Sequence, residues 1–235
     1  MNIKEMHYDF KQKLNKIDSQ QYRNLRIPEI DWKLNEACEI FIKNIAEPRI
    51  NNHLGFEVNQ RTIDDIRTLV VNDKELSCSI INPKSYISNL PNDYLFYVSS
   101  EVNISKNNCN NIIARCKIKQ HDDTHEQSPF DKSSFEWREV NIRFYEKGIK
   151  IFTDETFVIN SLILNYIKKH PYLHNAEDYP TGIYNLPSGI ILTGIQNCIL
   201  PEQTHREIVD IAVSITSLDL SASDYALKQT KLSLN

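Results

Sequence analysis

Glycine is scarce in this chain, five among 235 residues. Neither a GxGxxG nor a Walker A pattern occurs, which excludes the glycine-rich loops that cradle phosphates. Cysteine is equally sparse. Cys38, Cys78, Cys109, Cys116 and Cys198 form an odd, scattered set with no CxxC pair, and this predicts reduced thiols rather than a disulfide or metal framework. A basic excess is missing too: 27 Lys and Arg stand against 31 Asp and Glu, a net charge of −4. A tight nucleic-acid binder draws most of its affinity from neutralising phosphates, so that class is disfavoured. No apolar run approaches a membrane span. The opening MNIKEMHYDF carries charge early and has no apolar h-region, which predicts neither a signal peptide nor a membrane anchor. GxSxG and HExxH motifs are absent, as is any repeat of solenoid period.

What is present is a globular composition, 40% hydrophobic and 25% charged. Met6, Phe10, Leu14 and Ile17 recur at helical spacing between lysines. In IPEIDWKLNEACEIFIKNIAEPR, Pro28 suits a first helical turn and Glu29 and Asp31 favour the positive end of the helix dipole. Ile30, Leu34, Ala37, Phe41 and Ile45 then draw one apolar stripe, and Pro48 ends it. Thr62 and Asp65 resemble a capping box, predicting a short helix or turn through Ile63 to Leu69. A closing helix begins at Pro201, with Ile208, Ala212, Ile215 and Leu218 as its stripe.

Between these ends the texture is that of antiparallel strands, short β-branched and aromatic stretches punctuated by Asn, Pro, Asp and Ser. Candidates are Leu76 to Ile81, Tyr94 to Val102, Ile112 to Lys119, Glu139 to Tyr145, Ile149 to Phe152, Phe157 to Ile159, Leu162 to Lys168 and Ile190 to Thr193. In Ile112 to Lys119, Ala114, Cys116 and Ile118 share one face and Arg115, Lys117 and Lys119 the other, the pattern of a half-solvated strand. Tyr94, Phe96 and Val98 are expected on one core face. Gln120 to Arg138 reads as a long polar loop of functional or partner-ordered character. The fold expected is therefore α+β: N- and C-terminal helices (1–72 with 200–218) forming one small bundle, an inserted antiparallel β-rich domain (73–199), and an extended C-terminal tail (219–235).

Groups capable of chemistry are few. His121, Asp122, Asp123, His125 and Glu126 make the one cluster dense in metal ligands, but a zinc site needs convergent ligands and a second pair from elsewhere. A solvated loop is the simpler reading. Asp64-Asp65 and Asp122-Asp123 are read as surface or capping carboxylates. Cys109 or Cys198 with a distant histidine has no supporting motif, and His205 is placed on the polar face of the closing helix. Trp32 and Trp137, set among charges, are read equally as anchors of a subunit contact or caps on the core edge. No catalytic, metal or cofactor residue is assigned, and no cofactor is expected.

Several segments, in order, resemble podovirus tail tubular protein A and related head-to-tail connector proteins of bacteriophages. They are Asp31-Trp32-Lys33-Leu34-Asn35-Glu36-Ala37, Asp64-Asp65-Ile66-Arg67-Thr68-Leu69, Leu90-Pro91-Asn92-Asp93-Tyr94, Asn165-Tyr166 through Pro171-Tyr172-Leu173, and Leu200-Pro201 through His205 to Ala212. The opening 37 residues, the block SPFDKSSFEWREVN and the block THREIVDIAV are still closer to structural proteins of crAss-like phages. The Asn-rich turn Asn107 to Asn111 and the polar tail depart from tail tubular proteins. The resemblance implies a non-enzymatic subunit of a dodecameric ring below the portal, joining capsid to tail in the virion, after synthesis in the host cytoplasm. Its implied partners are further copies of itself, the portal or adjacent ring and tail proteins, and DNA that passes without specific binding. Lateral contacts are expected from helices 28–47 and 201–217, and contacts to adjacent rings from 120–138 and 219–235. The alternatives are a virion-attached β-rich module recognising host glycan or nucleic acid, and a metal-dependent hydrolase using His121 and His125.

Overall fold

The structure, a computed structural model, describes residues 1–17, 25–46, 64–107, 109–119 and 132–220. The cluster from His121 to Glu126 and the tail beyond 220 lie outside the described residues. The chain divides into two compact units, Val70–Lys169 and a discontinuous one made of Met1–Leu69 with His170–Asn235.

The expectation of a terminal helical bundle carrying an antiparallel insertion is corrected. Strand residues outnumber helical ones among the described residues, and an eight-stranded curled sheet dominates. Residues 170–199, expected with the β-rich part, belong to the discontinuous unit. They bring two small ribbons into it, so that unit is itself mixed α and β.

Val70–Lys169 holds β1 (Val70–Ser77), β2 (Ser79–Asn82), β3 (Ser85–Asn89), β4 (Tyr94–Lys106), β5 (Cys109–Ile118), β6 (Glu139–Phe144), β7 (Gly148–Phe152) and β8 (Val158–Lys168). The sheet order is β1-β8-β4-β5-β6-β7-β3-β2. The two end strands are thus consecutive in the chain, with Cys78 alone between them. A chain that leaves one end of the sheet and immediately joins the other compels the sheet to curl, and β1 meets β3 across the seam. The inside is apolar: Val102, Ile104, Ala114, Val140, Ile142, Ile149, Ile151, Leu162, Leu164 and Tyr166 form one buried cluster. Each such side chain contributes roughly 1.5–3 kcal/mol by leaving water.

One pair, β5 with β6, is parallel. Parallel neighbours need a crossover of a dozen or more residues, so the stretch between Ile118 and Glu139 has a topological reason for its length. Its described end is built into the unit. The Ser133 hydroxyl donates to the Phe152 carbonyl at 2.6 Å and accepts from the Asn141 N–H at 3.0 Å, and Phe135 packs on the core. By contrast the Asn-rich turn is short, since Lys106 pairs with Cys109 and leaves a two-residue hairpin loop. Asn107 there takes a positive φ of 50°, which Asn tolerates. The expected face of Tyr94, Phe96 and Val98 does not form. Register shifts on either side of Phe96 break the alternation, so Tyr94 and Tyr97 pack on the core while Val98 is exposed.

The discontinuous unit holds α1 (Ile3–Ile17), α2 (Ile27–Ala46), a helical turn ending in a 3-10 segment at Arg67–Leu69, and α3 (His205–Leu220). Its short strands are β9 (His174–Asn175), β10 (Ile183–Asn185), β11 (Ile191–Thr193) and β12 (Ile195–Gln196), paired β10 with β11 and β9 with β12. The apolar stripes converge: Met6, Phe10, Ile30, Leu34, Ala37, Ile208, Ala212 and Ile215 are buried, and both α1 and α2 pack on α3. On the β10–β11 ribbon Tyr184 faces Leu192 directly, and both point inward.

Candidate functional site

Two polar clusters and two exposed apolar patches stand out. The first cluster centres on Asp31, which is fully buried in α2. His7 of α1 lies 2.7 Å from Oδ1 through its Nε2. Tyr184 of β10 donates its hydroxyl to Oδ2 at 2.6 Å, and the Asn175 backbone N–H of β9 donates to Oδ2 at 3.1 Å. A carboxylate only accepts, so His7 carries its proton on Nε2. Burial, reinforced by the Asp31 carboxylate, raises the Tyr184 pKa and pushes that of Tyr172 up to about 12. One turn on, Asn35 clamps the same region. Its amide nitrogen donates to the carbonyls of Asp31 and Leu173, and its oxygen accepts the Leu173 N–H at 2.8 Å. Asp31 is therefore no mere partner of the helix dipole. It gathers α1, α2, β9 and β10 around one charge.

The second cluster surrounds Cys198. Its Sγ lies 3.5 Å from His170 Nε2, and the thiol also interacts with Cys38 and His205. His205 is 4% exposed, which corrects its placement on the polar face of α3: it begins that helix and is enclosed there. Its Nε2 donates to the Leu200 carbonyl at 2.9 Å, and its Nδ1 is buried without a hydrogen-bond partner. The neighbouring Cys38 thiol first, and then His170 and His205, lower the Cys198 pKa against the opposing effect of burial. The interaction with Cys198, joined by burial, holds the Cys38 pKa well above the ordinary thiol range.

The remaining thiols differ. Burial pushes the Cys78 pKa up to about 11 and that of Cys116 up to about 12, and Cys109 is exposed. Among the described residues no group of three or more His, Cys, Asp or Glu is arranged to hold a metal ion. Asp65 is not a free carboxylate either, for it accepts the Gln203 amide at 2.7 Å.

Both tryptophans are exposed, Trp32 by 52% and Trp137 by 80%. Two exposed clusters are aliphatic. All four residues of the edge strand β2 are exposed, including Ile80 and Ile81. On the β10–β11 ribbon Ile183, Ile190 and Ile191 are exposed. A surface depression of about 680 Å³ is lined by Lys4, Glu5, Tyr8, Asp9, Lys13 and Arg206 with the first two residues, and this lining contains no nucleophile–base pair. No helix among the described residues is long and apolar enough to cross a membrane.

Sequence reasoning missed the Asp31 and Cys198 clusters because their members lie far apart in the chain. No spacing signal links residues 7, 31, 175 and 184, or 38, 170, 198 and 205. The chain matches no protein-family model, and no curated protein matches its sequence.

Proposed function

We propose that the chain is a non-enzymatic structural ring subunit of a bacteriophage head-to-tail connector or tail barrel. Copies assemble into a dodecameric ring below the portal, through which DNA passes without specific binding. The observation that carries the reading is the edge strand β2, Ser79–Asn82, with Ile80 and Ile81 in solvent and no charge among its four residues. A register shift between Ile80 and Asn82 interrupts its pairing with β3 and blunts the edge itself, so the contact offered is the pair of exposed isoleucines rather than the backbone. A closed ring needs two different complementary patches on each copy. The isoleucines of the β10–β11 ribbon are the second, and the β2 edge of one copy seats on the ribbon of the next.

This moves the lateral contact away from the stripes of α2 and α3, which are buried within the subunit. Trp32, exposed on α2, is the helical contribution that is left. The resemblance of ordered sequence blocks to connector and crAss-like phage proteins supports this kind of assembly, and the net charge of −4 suits a conduit that does not grip DNA.

Negative-stain microscopy and sizing of the purified protein, with and without its portal, test the reading. Rings are expected for the natural chain. Ile80→Lys with Ile81→Lys is expected to give folded monomers, with an unchanged circular dichroism spectrum. A natural chain that stays monomeric beside its portal, or a double variant that still forms rings, overturns it.

A further inference from the structure

Trp137 is 80% exposed, yet the backbone that carries it is firmly tied. Ser134 and Glu139 exchange both backbone hydrogen bonds, at 2.8 and 3.1 Å, and close the turn. Within it the Trp137 N–H donates to the Ser134 hydroxyl oxygen at 3.4 Å, and the Arg138 N–H to the Phe135 carbonyl at 3.3 Å. Arg138 takes a positive φ of 52°, and its carbonyl accepts the Arg115 N–H of β5 at 2.8 Å. An arginine keeps that conformation only where its surroundings impose it. Phe135 packs on the sheet core and anchors the turn. The indole is flanked by exposed Glu136 and Arg138, and neither has an ion pair among the described residues. Such an anchor is already ordered and loses little freedom on binding.

The depression lined by α1 and the start of α3 offers the complement. At about 680 Å³ it is ample for one indole. Exposed Tyr8 lines it together with Lys4, Lys13 and Arg206, whose methylene stems carry apolar surface. Lys4 is held by Glu177 and Asp178, and Lys13 by Asp9 and Asp210. Two charges of the lining are left over, Arg206 and Glu5, the latter accepting the Asn2 N–H at 2.9 Å. Neither has an ion pair among the described residues. The turn thus carries one unpaired acid and one unpaired base, and so does the depression.

We propose that Trp137 of one copy of this chain seats in the depression of a second copy, with Glu136 pairing to Arg206 and Arg138 to Glu5. The indole then packs against Tyr8 and the lysine and arginine stems, as an aromatic ring favours. The contact rests on the ring reading and deepens it. It runs from the Val70–Lys169 unit of one copy to the helix-bearing unit of the next, with the polarity of the contact between β2 and the ribbon. Both are heterologous, as a closed ring requires.

The test is analytical ultracentrifugation of the full chain across a dilution series. Trp137→Ala is expected to weaken self-association roughly 30-fold, the scale of losing one aromatic anchor, with an unchanged circular dichroism spectrum. Glu136→Arg and Arg206→Glu are each expected to weaken it, and the chain carrying both to recover most of the natural affinity. In Trp32→Phe, Trp137 is the sole tryptophan, and its emission is expected to shift to the blue as concentration rises. Self-association untouched by Trp137→Ala, or a doubly reversed chain no stronger than either single variant, overturns the contact. If the natural chain still forms rings in that case, the ring reading survives. Open chains or dimers that Trp137→Ala dissolves keep the contact and overturn the ring. A natural chain monomeric at every concentration overturns both. Loss of portal binding alone in Trp137→Ala assigns the indole to another protein and overturns the contact.

Discussion

The two units stabilise themselves in different ways. The Val70–Lys169 unit is one uninterrupted stretch of chain, and its interior is a continuous aliphatic and aromatic cluster with no buried acidic side chain among the described residues. The other unit is assembled from two stretches of chain separated by a hundred residues, and it buries Asp31 completely. Apolar packing is tolerant of partner and register, whereas a carboxylate that must find His7, Tyr184 and the Asn175 N–H is satisfied in one arrangement only. A contiguous sheet gains its register from hairpins and neighbours. Two remote segments have no such guide, and the buried charge supplies one. The curled sheet is therefore held by the quantity of apolar surface it buries, and the helical unit by the specificity of a few polar ties.

Removing the charge tests this most strongly. Asp31→Ala leaves three buried donors without an acceptor and is expected to cost about 3–5 kcal/mol, the scale for breaking a buried charged pair. Urea unfolding followed by hydrogen exchange is expected to show the loss among residues of α1, α2, α3 and the ribbons, with the Val70–Lys169 amides keeping their protection. A cost below about 1 kcal/mol would reduce the hub to a coincidence of packing.

The mirror experiment is Ile142→Ala. Ile142 is fully buried in β6, paired with Ile151 of β7 and Ile118 of β5. The lost methyl groups and the cavity left behind are expected to cost about 2–4 kcal/mol. Here the protection lost should be that of the sheet amides, with the α1 to α3 amides unchanged. Equal loss in both units would erase the distinction.

A smaller and sharper test is Asn35→Ala. The side chain acts as a substitute strand edge for Leu173, donating to its carbonyl and accepting its N–H. With the Asp31 carbonyl also released, the expected cost is about 1–3 kcal/mol. Asn35→Asp keeps the acceptor for the Leu173 N–H but turns a carboxylate oxygen toward the two carbonyls that the amide nitrogen served, so it is expected to cost at least as much as the alanine variant.

Legibility from the chain follows the same division. The α2 stripe was readable because Ile30, Leu34 and Ala37 meet the helical period and are all buried. So was β5, where Ala114 is buried and Arg115 and Lys117 are exposed, although Ile118 at its end is exposed as well. β3 escaped notice because Ser85 and Ser88 are polar yet buried, their places set by pairing with β7. β9, β10 and β12 are two or three residues long, below the length at which alternation carries information. Parallel pairing of β5 with β6 is a non-local choice that no local pattern reports. Asp31 was the deepest miss: an acid near a helix start has a sufficient local explanation in the dipole, and only the tertiary structure shows it sealed from water.

The smallest expected effect separates buried ties from surface ones. Lys13 reaches Asp210 at 2.6 Å and Lys33 reaches Asp219 at 2.6 Å, so α1 and α2 are each bridged to α3 at the surface. These bridges are as short as the bonds at Asp31 and join helices as remote in sequence, yet water competes for their charges and long side chains lose entropy in holding them. Lys13→Ala is accordingly expected to cost less than about 1 kcal/mol, and the cost should shrink further as salt screens the exposed pair. Asp31→Ala should keep its full cost under the same salt, because ions do not reach a sealed carboxylate. Measuring both variants by urea unfolding across a salt series therefore asks whether bond length or burial governs these ties. A Lys13→Ala loss comparable to that of Asp31→Ala would assign the cohesion of the discontinuous unit to its surface.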